Sequence, residues 1–232
     1  MLQQTTFALF TTENKEATFC DWLQAKSAEN WKQATQHPFT IAVGNGTVSD
    51  YAYRRYLIED YAFVVDLASA LGYLVAKAPT MEAKGVLSAF LAQLTSAEND
   101  YFLRSFEALG LSKETYENAV ANDTTRSIAA TLLSAAGKGK YEDGLACLLC
   151  AEWVYMDWCT REGTKPRPDQ FWLAEWIDLH DNPAFLRFVG WLKAEMNRVG
   201  PALPAWRQRE VQERFSRMCE LEAAFFDAVS TD

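Results

Sequence analysis

Three carboxylates in this sequence fall on apolar helical stripes, and their type and spacing are where chemistry is to be sought. In "CLLCAEWVYMDWC", residues 147–159, Glu152 shares a stripe with Leu145, Leu148, Leu149, Tyr155 and Met156, the i, i+3, i+4, i+7 pattern of one helix face. In "YLIEDYAFVVDLASAL", Asp60 comes four residues after Tyr56 and four before Val64, on the face that carries Leu57 and Leu67. Glu59 points about 100° away and reads as a surface or flanking charge. In "FSRMCELEAAFFDAV", Glu222 is flanked on one stripe by Phe215, Met218, Phe225 and Phe226. An inward carboxylate is either half of a buried ion pair with Arg or Lys of a neighbouring helix or a functional group, because unpaired burial is expensive. Periodicity alone leaves that choice open.

If the three acids face one interior space, the chemistry is that of a water-restricted pocket for a flat heteroaromatic ligand. Carboxylates accept hydrogen bonds from exocyclic amines and move protons, while Tyr, Phe and Trp faces sandwich a ring. A di-iron centre is the rival use of such acids, but it needs a Glu three residues before a His. Neither His37 nor His180 has one, so no metal is expected. Two histidines also leave little material for a histidine triad. Cys147 and Cys150 formally read CxxC; with no second pair and no nearby histidine, they are better explained as small buried side chains.

The elements that must position these residues are helices throughout. Apolar spacing predicts a first helix over about 13–36, stopped at "HPF". "VGNGTVSDY" forms a loop that leaves Ser49 as N-cap of a long helix from about Asp50 to Lys77. A third long helix runs from Met81 to Leu109 and is closed by Gly110; shorter ones come next at 112–121 and 124–137. "GKGK" precedes a helix from Tyr141 to Arg161, and "DQFWLAEWIDLH", "PAFLRFVGWLKAEMNRV" and a last helix from about Pro204 to Val229 complete the chain. No stretch alternates with period two, so the expectation is an all-α bundle of about eight or nine helices around a central pocket, one domain over residues 1–232.

The chain has 232 residues, is 49% hydrophobic and carries a formal net charge of −9, enough material for one substantial core and the wrong sign for a phosphate backbone. Nucleic-acid binding is therefore not expected. No apolar run approaches the roughly 20 residues of a bilayer span, and "MLQQTTFALF" lacks the basic start and apolar stretch of a secretory leader. A cytoplasmic protein with reduced thiols is the expectation.

These motifs, in this order, resemble the TenA/thiaminase II family: "HPF" followed by "GNGT", "YLIEDY", "AENDYFLRSFEALGL", "EWVY", "WIDLHDNPAF" and "ELEAAFFDA". The resemblance runs over nearly the whole chain and implies the heme-oxygenase-like helical bundle. It further implies that Asp60 holds an aminopyrimidine and that Glu222 is the catalytic acid/base. One kind of member carries a nucleophilic cysteine four residues before the tyrosine matching Tyr155; here that position is Ala151, with Glu152 next to it. The chain thus resembles the cysteine-less, glutamate kind, in which Glu152 assists Glu222 or takes the thiolate's place. Three family tyrosines appear as Phe63, Ile128 and His180, which keeps bulk around a ring while changing its hydrogen bonds.

The resemblance implies a hydrolase acting on an aminomethylpyrimidine or its N-formyl derivative to give hydroxymethylpyrimidine in thiamin salvage. The small-molecule pyrimidine is its partner, no cofactor is needed, Tyr155 contacts the reacting group, and Phe63 and His180 pack on the ring. Family members assemble as homotetramers or homodimers, and Trp158, Trp172 and Trp191 are expected to be exposed at such an interface. The alternatives are a non-catalytic heteroaromatic-binding or regulatory relative, and a cofactorless oxidase resembling pyrroloquinoline-quinone synthase. The oxidase looks for pocket histidines and arginines in which this chain is poor.

Overall fold

The computed structural model describes residues 6–230; the first five residues of the stretch considered for a leader lie outside them. Every regular element among the described residues is helical. In chain order these are α1 Phe7–Glu13, α2 Phe19–Lys26, α3 Ala28–Thr35, α4 Pro38–Gly44, α5 Asp50–Lys77 and α6 Met81–Gln93. Next come α7 Asn99–Ala108, α8 Lys113–Glu117, α9 Asp123–Gly137, α10 Tyr141–Gly163, α11 Phe171–His180, α12 Pro183–Val199 and α13 Ala205–Ser230. Eight of them, α5, α6, α7, α9, α10, α11, α12 and α13, have ten residues or more and form the bundle proper.

The sequence signals for the long helices act as expected. The Ser49 side chain accepts from the Ala52 N–H and starts α5. Gly110, at φ +69°, ends α7, with Gly110 N–H donating to Glu107 O and Leu111 N–H to Phe106 O, the paired bonds of a Schellman cap. The predicted first helix is instead three. Thr18 and Asp21 form a capping box that starts α2 afresh, and Ser27 separates α2 from α3. Pro38 stops α3 as expected but also begins α4 from its first position, with His37 Nδ1 accepting from Phe39 N–H. His37 donates from Nε2 to Asp227 at 3.1 Å, so this histidine joins α4 to α13.

Helix α10 runs through the middle. From Tyr141 to Tyr155 every residue except Glu142 is buried, the all-round burial of a central helix. It packs on α13, α9, α12, α11 and α5. The five cysteines are all buried and unpaired, in keeping with the packing reading. Trp158 is a correction: it is 1% exposed, because its position on α10 faces inward beside Tyr155, while Trp172 and Trp191 are half-buried against the core. These tryptophans therefore do not form an exposed patch. No helix among the described residues is long and apolar enough to cross a membrane.

Between α6 and α7 the chain widens into a π-helical turn, Leu94–Glu98. The apolar spacing alone predicts one uninterrupted helix through this point. A π-turn places one extra residue in the helix and re-aims the residues beyond it, and such turns occur frequently at functional sites. Here it delivers a buried glutamate, Glu98.

Candidate active site

A cavity opens where α5, the α6–α7 junction, α10 and α11 meet. Helix α5 contributes Asp60, Phe63, Val64 and Leu67, and α10 contributes Ala151, Glu152 and Tyr155. Phe90, Leu94 and Glu98 close one side; Trp176 and His180 of α11 close another. The space between them is about 20 Å³, room for one water molecule. A pyrimidine ring therefore enters only if wall side chains move.

Asp60 and Glu152 stand on this wall as the helical stripes predict. Tyr155 donates to Asp60 Oδ1 at 3.5 Å, and the Tyr56 hydroxyl lies 3.1 Å from that of Tyr155. Asp60 Oδ2 has no hydrogen-bond partner. Burial raises the Asp60 carboxyl to about 7, against the opposing hydrogen bonds of Tyr56 and Tyr155. Glu152 makes no hydrogen bond or ion pair among the described residues, which removes the buried-ion-pair alternative. Its carboxyl is raised well above the usual range by burial first, then by the charges of Glu222 and Asp60.

Glu222 lies next to these acids but not on the cavity wall. It is 2% exposed, its Oε1 has no partner, and burial followed by the charge of Asp60 raises its carboxyl well above the ordinary value. Phe63 and His180 line the cavity, whereas Ile128 is buried on α9 away from its wall. His180 Nδ1 lies 2.9 Å from the Trp176 carbonyl. A carbonyl only accepts, so Nδ1 carries the proton and Nε2 is an unprotonated acceptor; burial lowers the imidazole to about 4 and keeps it neutral. His180 thus brings to the lining a ring nitrogen that accepts.

Ala151 lines the cavity where a nucleophilic thiol would be sought, and Cys150 does not. Cys150 instead faces Cys219 of α13, and burial, then the Cys219 contact, raises its thiol well above the ordinary value. A thiol held protonated in this way is a poor nucleophile. Among the described residues no three of His, Cys, Asp and Glu converge as a metal site requires.

Glu98 is the residue that sequence reasoning missed. It is 6% exposed, lines the cavity with Asp60 and Glu152, and has its carboxyl raised by burial first and then by the charges of Glu152 and Asp60. A signal was present. Glu98 stands four residues after Leu94 and three and four before Tyr101 and Phe102, all buried, so the stripe test that found Asp60 would have found it.

An all-helical bundle enclosing a pocket of unpaired acids and aromatic rings is the class that the fold and site define. Within that class, residues 24–232 match the model of the TENA/THI-4/PQQC family, and the chain belongs to that family. It is 23% identical over 211 residues, 90% of this chain and 94% of the relative, to an aminopyrimidine aminohydrolase of Halalkalibacterium halodurans. A probable bifunctional TENA-E protein of Glycine max is 25% identical over 183 residues, 76% of this chain and 77% of that one. Among solved structures, the TenA homologue of P. horikoshii OT3 superposes with a TM-score of 0.82 at 21% identity, covering 92% of this chain and 98% of its own. The heme-oxygenase-like bundle expected from the sequence is the fold observed.

Proposed function

We propose that this protein hydrolyses the exocyclic C–N bond of an aminomethylpyrimidine, or of its N-formyl derivative after deformylation, to give hydroxymethylpyrimidine in thiamin salvage. The observation that carries this reading is the set of unpaired interior carboxyls, Asp60, Glu152 and Glu222, around Tyr155. Relatives named aminopyrimidine aminohydrolase, matched over about nine-tenths of this chain, support it. So does the cavity wall, where Ala151 and Glu152 stand side by side, in keeping with the cysteine-less, glutamate kind.

In the proposed reaction Asp60 accepts from the ring amino group and fixes the ring's orientation. A water oxygen forms the new C–O bond as the C–N bond breaks, the electron pair leaving on nitrogen. Glu222 takes the proton released by the water and returns it to the departing nitrogen, so that a protonated aminomethyl group and water become an alcohol and an ammonium ion. Glu152 shares this proton work from the place a thiolate would occupy, and Tyr155 hydrogen-bonds the reacting group. Phe63 and His180 border the ring. No covalent thio-intermediate forms. The protein acts as a single domain over residues 1–232, in the cytoplasm, as a homodimer or homotetramer and without a cofactor.

The test incubates purified protein with aminomethylpyrimidine, its N-formyl derivative and thiamin in parallel, with hydroxymethylpyrimidine measured by chromatography and Glu222→Gln as control. Product from either of the first two that is lost in the variant supports the hydrolase. Tight pyrimidine binding without product would establish the non-catalytic binding reading instead, and neither product nor binding would mean that the pocket serves another ligand. The oxidase reading has little support, since one histidine and no arginine line the cavity.

A further inference from the structure

The polar groups on the cavity wall are of nearly one kind. Asp60, Glu98, Glu152 and His180 Nε2 are acceptors; the Tyr155 hydroxyl is already committed to Asp60, and no lysine or arginine lines the space. No cation offsets the burial of these three carboxyls, which raises all of them, and a ligand that brings donors and positive charge is what satisfies their ionised forms. A phosphoryl group would find no cation there, and a hydroxyl offers one donor where an ammonium offers three.

Glu98 is the member of this set with no role in the hydrolysis proposed for the site. Its carboxyl makes no hydrogen bond or ion pair among the described residues, although the residue is only 6% exposed and lies on the cavity wall. Asp60 is tied to Tyr155, and Glu152 stands beside Ala151 on α10 at the reacting position. Glu98 arrives from a different element, the π-turn, and is thereby free to meet a substituent projecting from the ring.

We propose that Glu98 is the specificity-determining residue of the pocket, accepting hydrogen bonds from the protonated exocyclic amine of the substrate. The pocket in consequence takes unphosphorylated, amine-bearing heteroaromatic bases in preference to their hydroxyl and phosphoryl counterparts. This rests on the pyrimidine reading of the same site and adds to it the charge of the substrate and the residue that reads it. The product alcohol lacks the ammonium, so loss of this contact also favours product release.

The experiment measures dissociation constants by calorimetry, on full-length protein carrying Glu222→Gln so that turnover does not consume the ligand. The ligands are aminomethylpyrimidine, hydroxymethylpyrimidine and hydroxymethylpyrimidine phosphate. The amine is expected to bind tighter than the alcohol by about tenfold or more, and the phosphate weaker than the alcohol by a similar factor. Adding Glu98→Gln is expected to erase the preference for amine over alcohol while leaving alcohol affinity within about threefold. A preference that survives Glu98→Gln, or equal weakening of both ligands, would overturn the assignment. So would tight binding of the phosphate, a result that does not depend on the Glu98 variant folding. Binding of none of the three by the parent would instead sink the pyrimidine reading itself, and this inference with it.

Discussion

Tyr155 of α10 and Asp60 of α5 meet across the interior, the phenol donating to Asp60 Oδ1 at 3.5 Å while Oδ2 has no partner. The Tyr155 hydroxyl is one of two that hold the Asp60 carboxyl down against the effect of burial. Tyr155→Phe is expected to move the Asp60 titration upward from about 7, because the carboxylate loses a donor and the neutral acid loses less. Carboxyl-carbon chemical shifts recorded against pH read this directly. An unchanged midpoint would mean that the hydroxyl does not stabilise the carboxylate.

Asp60 also sets a pH dependence of stability. Its folded value of about 7 lies above the ordinary value of 3.8, so between the two the native state keeps a proton that the unfolded chain has lost. Stability therefore falls as pH rises through that window, and the cost is fully present above about pH 7. Asp60→Asn is expected to be more stable than the parent at pH 8, by at most about 4 kcal/mol, and to lose that advantage near pH 4. Urea melts at the two pH values make the comparison, and a variant less stable at pH 8 would contradict it.

Thiol reagents are expected to leave turnover intact. All five cysteines are buried, and burial raises the thiols of Cys20, Cys147, Cys150 and Cys159. Iodoacetamide should change the rate less than about twofold in the parent, whereas Ala151→Cys should become sensitive because position 151 lines the cavity. Mass spectrometry of the alkylated variant locates the label. Rapid inactivation of the parent would show that one native thiol serves the reaction.

Gly44 of α4 packs directly on the Glu162 carboxylate of α10, and a methyl group there would collide with it. Glu162 cannot readily retreat, being held by Arg161 at 2.8 Å and Lys165 at 2.5 Å. Gly44→Ala should cost about 1–3 kcal/mol. Combining it with Glu162→Ala should cost less than the sum of the two single changes, a coupling that denaturant melts on the four proteins resolve. Additive costs would mean that the two positions do not touch.

Much of the site was legible because its acids obey the same periodicity as the core. Asp60, Glu152 and Glu222 each interrupt a run of buried apolar residues at helical spacing, and each is buried. What periodicity could not supply was the absence of partners: whether an arginine reaches Glu152 depends on which helix lies against α10, a tertiary fact. The division of the first 30 or so residues into short helices was hidden for a related reason. Phe19, Trp22, Leu23 and Trp31 are all buried, so their stripe continues across Ser27 although the backbone does not. Trp158 was misplaced although its stripe companion Tyr155, three residues before it, faces inward.

The π-turn at Leu94–Glu98 makes the pocket's composition a matter of backbone form as well as residue type. Were the same residues wound there as ordinary α-helix, everything downstream would be rotated by about 100° relative to α6. Glu98 would then be carried off the wall without being mutated. Two relatives with the same side chains in the same order can thus present different interiors, and the pitch of one turn is as consequential as the loss of a carboxylate.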